Sequence, residues 1–240
     1  MNPEQMKKLM QDEDVQAVIQ TMMMNNFSEQ KKSTHQKYKQ LNQFITKEQI
    51  LFVGSSLMEW FPSNEMQLNL NLQKIIYNRG IAGSTTADLL EVIEDCIFAL
   101  APSKIFINIG SNDIGSIGPN GYQKEVLLTN YNTIMDQIKE RLPQCEVYVM
   151  AYYPVNGEAD FGLDPSMKAE MFATRTRSNI EEANTAIEEL ASQHHFHFIN
   201  VNAGLADEHG NLKEEFSTDG IHMWPNAYAV ILENLKPYLS

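Results

Sequence analysis

The chain has 240 residues, and its 18 basic against 31 acidic side chains leave a net charge of -13, which argues against a phosphate-backbone binder and against attraction to an anionic membrane surface. Its length suits one well-buried α/β core, and its two cysteines, Cys96 and Cys145, make neither a disulfide framework nor a metal-ligand spacing and read as small core residues. No basic start leads into an apolar run, and no apolar run reaches the roughly 18 residues a membrane span needs, so the expectation is a cytoplasmic protein without stable membrane insertion.

Residues 1–48 stand apart from the rest of the chain. Met6, Leu9, Met10, Val15, Val18, Ile19 and Met22 predict one helix, and Tyr38, Leu41, Phe44 and Ile45 predict a second one capped at Ser28. This reads as a helical extension packed on a domain spanning 49–240, with the methionines filling irregular gaps in a core. Whether these helices pair two chains into a homodimer or only cover the sheet is open at this point.

From residue 50 onward, charge-poor runs alternate with helical patterns. Ile50–Val53, Lys74–Tyr77, Lys104–Ile109, Glu146–Ala151 and Phe196–Val201 predict strands covered on both faces. Between them, Leu89, Leu90, Ile93 and Ile97 form one apolar stripe, and Val126, Leu127, Tyr131, Ile134, Ile138 and Leu142 form another. Ala183, Ile187 and Leu190 form a third, and Pro225 opens a last helix carrying Tyr228, Ile231, Leu232 and Leu235. The alternation implies a parallel sheet with right-handed crossovers and helices on both faces. The stretch Val155–Ala173, with Gly157, Gly162 and Pro165, is long for a strand-to-helix connection and reads as a pocket-shaping loop.

Three strand exits and one turn carry reactive groups. Ser56 follows Ile50–Ser55, where Gly54 permits a sharp exit and a base could take the hydroxyl proton during attack; helix capping by Ser55 and Ser56 is the plainer alternative. Gly83 lies in the Asn78–Thr86 loop, where outward backbone N–H groups can serve an oxyanion. Asn112, directly after the third run, can donate its amide to the same oxygen, although an Asn-Asp turn would also explain it. Asp219 and His222 are three apart, close enough on a turn for a carboxylate to fix an imidazole tautomer. The order Ser, Asp, His is that of α/β-hydrolases, but the Gly-x-Ser-x-Gly elbow is absent.

Taken together, Gly54-Ser55-Ser56-Leu57, Asn78–Thr86, Gly110-Ser111-Asn112-Asp113 and Asp219-Gly220-Ile221-His222 resemble the four blocks of the GDSL or SGNH hydrolase family. The resemblance covers about residues 50–239 and is closest to the branch similar to platelet-activating-factor acetylhydrolase subunits. It implies a three-layer α/β/α fold with a five-stranded parallel, flavodoxin-like sheet. It also implies Ser56 as nucleophile, His222 as base and Asp219 as its orienting partner. The N–H groups of Ser56 and Gly83 and the Asn112 side chain would form the oxyanion hole.

The expected activity is hydrolysis of a small-molecule ester with a short acyl group, with no metal, no organic cofactor and no nucleic-acid partner. One departure is visible, because Ser55 stands where the family has an aspartate. That leaves three alternatives: a thioesterase or lipid acylhydrolase, a silent binding module on the same fold, or a flavodoxin-like nucleotide binder without the usual phosphate loop. His194, His195 and His197 read as two sides of a strand rather than a metal cluster.

Overall fold

The charge-poor runs become the sheet. The computed structural model describes residues 12–115 and 121–240, and in it β1 (Ile50–Gly54), β2 (Ile76–Asn78), β3 (Lys104–Asn108), β4 (Glu146–Met150) and β5 (His197–Ile199) pair in the order β2-β1-β3-β4-β5. Every pairing is parallel. The helices are α1 (Glu13–Leu41), α2 (Ser56–Glu59), α3 (Ser63–Met66), α4 (Thr86–Cys96), α5 (Ser111–Ile114), α6 (Lys124–Arg141), α7 (Pro165–Phe172), α8 (Arg177–Gln193) and α9 (Pro225–Leu235). Among the described residues, no helix is long and apolar enough to cross a membrane.

Side chains alternate across the strands and so build two cores. Leu51, Val53, Ile105, Ile107, Val147 and Val149 pack against α4, α6 and α8. Ile50, Phe52, Phe106, Tyr148 and Met150 face α9 through Tyr228, Ile231 and Leu235. Burying one such side chain stabilises by about 1.5–3 kcal/mol. An exposed ion pair such as Lys32–Glu29 contributes roughly 0–1 kcal/mol, so apolar burial and not surface charge holds the fold.

The strand order positions the site. The chain runs from β1 outward to β2 and then returns to place β3 on the other side of β1, so the order reverses between β1 and β3. The carboxyl ends of such a pair splay apart and open a crevice. Gly54 of β1 pairs with Asn108 of β3, and both chains turn into that crevice, one at Ser56 and the other at Asn112. Gly54 is needed for close approach and not for an unusual turn: a Cβ there would run into the Asn108 carbonyl and the Met58 side chain.

Several expectations need correction. The two N-terminal helices are one helix of 29 residues, α1, which passes through exposed Ser28 without a break. Neither Gly nor Pro interrupts Met22–Tyr38, and a serine without a chain break beside it has no end to cap. Met6, Leu9 and Met10 lie outside the described residues. Val18, Met22 and Phe27 are exposed at 58%, 66% and 60%, so these positions are not core. Only the C-terminal half of α1 is tied down. Lys31 pairs with Asp88 at 2.9 Å, His35 meets Asp95 at 2.7 Å, and Tyr38 donates to the Gly80 carbonyl at 2.6 Å.

The Val155–Ala173 connection contains α7, with Asp164 capping its first turn and Pro165 at its start. The fifth strand begins only at His197, because His194 closes α8 and His195 turns with φ of 61°. Cys96 is buried as expected, whereas Cys145 is only half-buried.

Candidate active site

Ser56 opens α2 immediately beyond β1, and its hydroxyl lies 3.0 Å from His222 Nε2. Ser55, 1% exposed, makes no capping bond through its side chain. Capping therefore does not account for the serine pair. The first N–H groups of a helix have no partner within it. The Ser56 N–H accordingly has no acceptor among the described residues.

His222 is set by a turn that Asp219 organises. One carboxylate oxygen accepts the Ile221 and His222 amides at 2.9 and 2.8 Å, and the other lies 2.6 Å from His222 Nδ1. The carboxylate thereby keeps the proton on Nδ1 and leaves Nε2 bare toward Ser56. Burial pushes the Asp219 carboxyl up, but hydrogen bonds from the His222 ring and from the two amides outweigh it and hold the group below its ordinary range. Ser217 Oγ accepts the Gly220 amide at 2.7 Å and donates to the His222 carbonyl at 2.9 Å, which closes the turn from the other side. Asn156 anchors the long loop to the same turn, donating its N–H to the Gly220 carbonyl at 2.7 Å.

The other two predicted contributors flank the crevice. Gly83 takes φ of +71°, a conformation that favours glycine, and among the described residues its N–H meets no acceptor. It sits two residues before the Thr85 cap of α4 and so does not itself open the helix. Asn112 lies in α5, and its Nδ2 donates to the Ser84 carbonyl at 2.9 Å, which ties the third block to the second. Asp113 strengthens that tie by accepting the Thr86 amide at 2.9 Å, and burial raises its carboxyl despite the Thr86 bonds.

Sequence reasoning missed Trp60. Its ring lies 4.3 Å from the His222 ring and is 50% exposed, so it forms a wall between the imidazole and solvent. The available signal was its place one helical turn beyond Ser56. The three clustered histidines have separate partners: His194 meets Asn132 at 2.9 Å, His195 lies in the turn, and His197 stacks on Tyr148 at 4.9 Å. Among the described residues no three His, Cys, Asp or Glu side chains gather as a metal site.

A free hydroxyl, a bare imidazole nitrogen and a buried carboxylate in series can transfer a proton during attack at a carbonyl or phosphoryl centre. A model of the GDSL-like lipase/acylhydrolase family matches residues 52–230. The chain belongs to this family. A Streptococcus pneumoniae protein provisionally described as a platelet activating factor is similar at 30% identity and a TM-score of 0.81, with 93% of this chain and 99% of that one covered. A provisionally described acylhydrolase of Bacteroides fragilis shares the fold at 22% identity and a TM-score of 0.67, covering 85% and 94%. An acetylxylan esterase of Geobacillus stearothermophilus shares it at 14% identity and 0.62, covering 82% and 96%. The GDSL-like chain is also 26% identical to an N-acylneuraminate cytidylyltransferase of Escherichia coli over 80% of its own length, but it spans only 40% of that longer protein.

Proposed function

We propose that this protein is a serine esterase that hydrolyses small carboxylic esters with short acyl groups. The observation that carries the reading is the unbroken contact from Asp219 through His222 to Ser56, 2.6 Å and then 3.0 Å. Nε2 of His222 takes the Ser56 proton as Oγ bonds to the ester carbonyl carbon. The carbonyl electron pair moves onto oxygen, where the N–H groups of Ser56 and Gly83 and the Asn112 amide receive it. The bond to the leaving alcohol then breaks, the imidazolium protonates that oxygen, and the acyl group stays on Ser56. Water repeats the cycle, giving one proton to His222 and its oxygen to the acid, and Ser56 recovers its own proton.

Acetate is the first acyl group to test, because several structural neighbours carry the name acetylxylan esterase. The net charge of -13 gives no support to a nucleic-acid substrate. With p-nitrophenyl acetate, Ser56→Ala lowers kcat by roughly 10⁴-fold or more, while Ser55→Ala keeps most of it. The reverse pattern would make Ser55 the nucleophile. Absence of turnover by the parent protein across ester and thioester series would replace the esterase with a silent module.

A further inference from the structure

Arg175 is an arginine in an unusual setting. It is 8% exposed, yet among the described residues no carboxylate lies within ion-pair distance of it. Its guanidinium donates instead to the Met171 carbonyl at 3.0 Å, to the Ser111 carbonyl at 3.2 Å and to Asn112 Oδ1 at 3.4 Å. Burial pulls its pKa down, and the charge of Asp219 opposes this. Guanidinium stays protonated in proteins, so a full positive charge is buried against neutral acceptors. Such charges are rare without a paired anion, and their retention calls for a role.

The role follows from the two ends of the Asn112 carboxamide. Its oxygen faces the Arg175 guanidinium and its nitrogen faces the Ser84 carbonyl. Rotating the amide by half a turn would set NH2 against a cation and oxygen against a carbonyl oxygen, which is repulsive at both ends. The positive charge at Oδ1 also draws electron density through the amide, so the remaining N–H becomes a stronger donor. We propose that Arg175 is a positioning residue that fixes the Asn112 carboxamide with its free N–H directed at the developing oxyanion. This rests on Asn112 serving as an oxyanion donor, as in the esterase reading.

Two features make the idea testable without dismantling the fold. Arg175 borders a cavity of about 420 Å³ lined also by Phe172, Ile180 and Asn202, so a shorter side chain leaves no sealed void. Its guanidinium also lies flat on Gly115, where an added Cβ would occupy its place. Gly115→Ala therefore displaces the charge while Arg175 itself is retained, and it does so at an ordinary φ of -84°.

The experiment is a kinetic cycle on the full chain with p-nitrophenyl acetate, joined to ¹⁵N spectra of the Asn112 side chain. Arg175→Met lowers kcat roughly tenfold at near-constant KM, Arg175→Lys restores most of it, and Gly115→Ala moves kcat in the same direction as Met. In an Asn112→Ala background the losses from Arg175→Met and Gly115→Ala vanish, since the group they position is gone. Loss factors that persist in that background, or a change confined to KM, would overturn the proposal. The spectra decide independently of turnover: Arg175→Met merges or broadens the two Asn112 amide proton signals, and unchanged signals would contradict a positioning role. An inactive parent protein would remove the esterase reading, and the amide proton signals alone would then decide whether Arg175 orients Asn112.

Discussion

Two histidine–aspartate pairs in this chain are nearly alike, and only one sits at the crevice. His222 and Asp219 meet at 2.6 Å with side chains 22% and 23% exposed, and His35 and Asp95 meet at 2.7 Å with side chains 25% and 27% exposed. Distance and burial therefore do not separate them. What separates them is the second ring nitrogen. His222 turns it toward Ser56 at the sheet's switch point, whereas the His35 pair bridges α1 to α4, with Lys39 4.0 Å from the same carboxylate. An imidazole and a carboxylate become a catalytic pair through a third group and a crevice, and otherwise they are a clamp.

Parallel substitutions break the comparison from its strongest side first. Asp219→Asn would donate to Nδ1 and move the ring proton to Nε2, where it faces Ser56. The expected loss in kcat is about 10²- to 10⁴-fold, with the fold intact because an asparagine oxygen still accepts the two amides. Asp95→Asn should leave kcat within about twofold and lower unfolding stability by roughly 1 kcal/mol, as measured in urea. Equal kinetic effects from the two substitutions would erase the distinction.

Acid unfolding sharpens the contrast further. The Asp219 carboxyl is held below its ordinary value of 3.8 in the folded state, so on acidification the unfolded state takes up this proton first. Its contribution is fully present above that value and is lost as pH falls through the lower, folded one. Asp219→Asn should flatten this part of the stability curve below pH 3.8 and leave the neutral region little changed. The smallest effect is expected at the clamp, where Tyr38→Phe removes one hydrogen bond to Gly80 and costs about 1 kcal/mol, without a change in KM.

How much of this was legible in the sequence depends on the range of the interaction involved. The five strands were readable because residues buried on both faces leave an almost charge-free run. Ser56, Gly83, Asn112, Asp219 and His222 were readable because strand exits and turns are local features and the sheet's topology gathers them. The continuity of α1 was missed because Ser28 imitates a cap in a stretch that nothing interrupts. α7 was missed although Asp164-Pro165 is itself a cap followed by a first-turn proline. Trp60 and Arg175 had no local signal of function: one depends on His222, 162 positions away, and the other on Asn112, 63 positions away.

The central claim is that His222 activates the hydroxyl of Ser56. Treatment of the intact protein with a fluorophosphonate, followed by peptide mass mapping, tests it most directly. The account predicts one adduct, on Ser56, formed rapidly in the parent protein and far more slowly in His222→Ala. An adduct on Ser55, or labelling of Ser56 at the same rate without the imidazole, would contradict it.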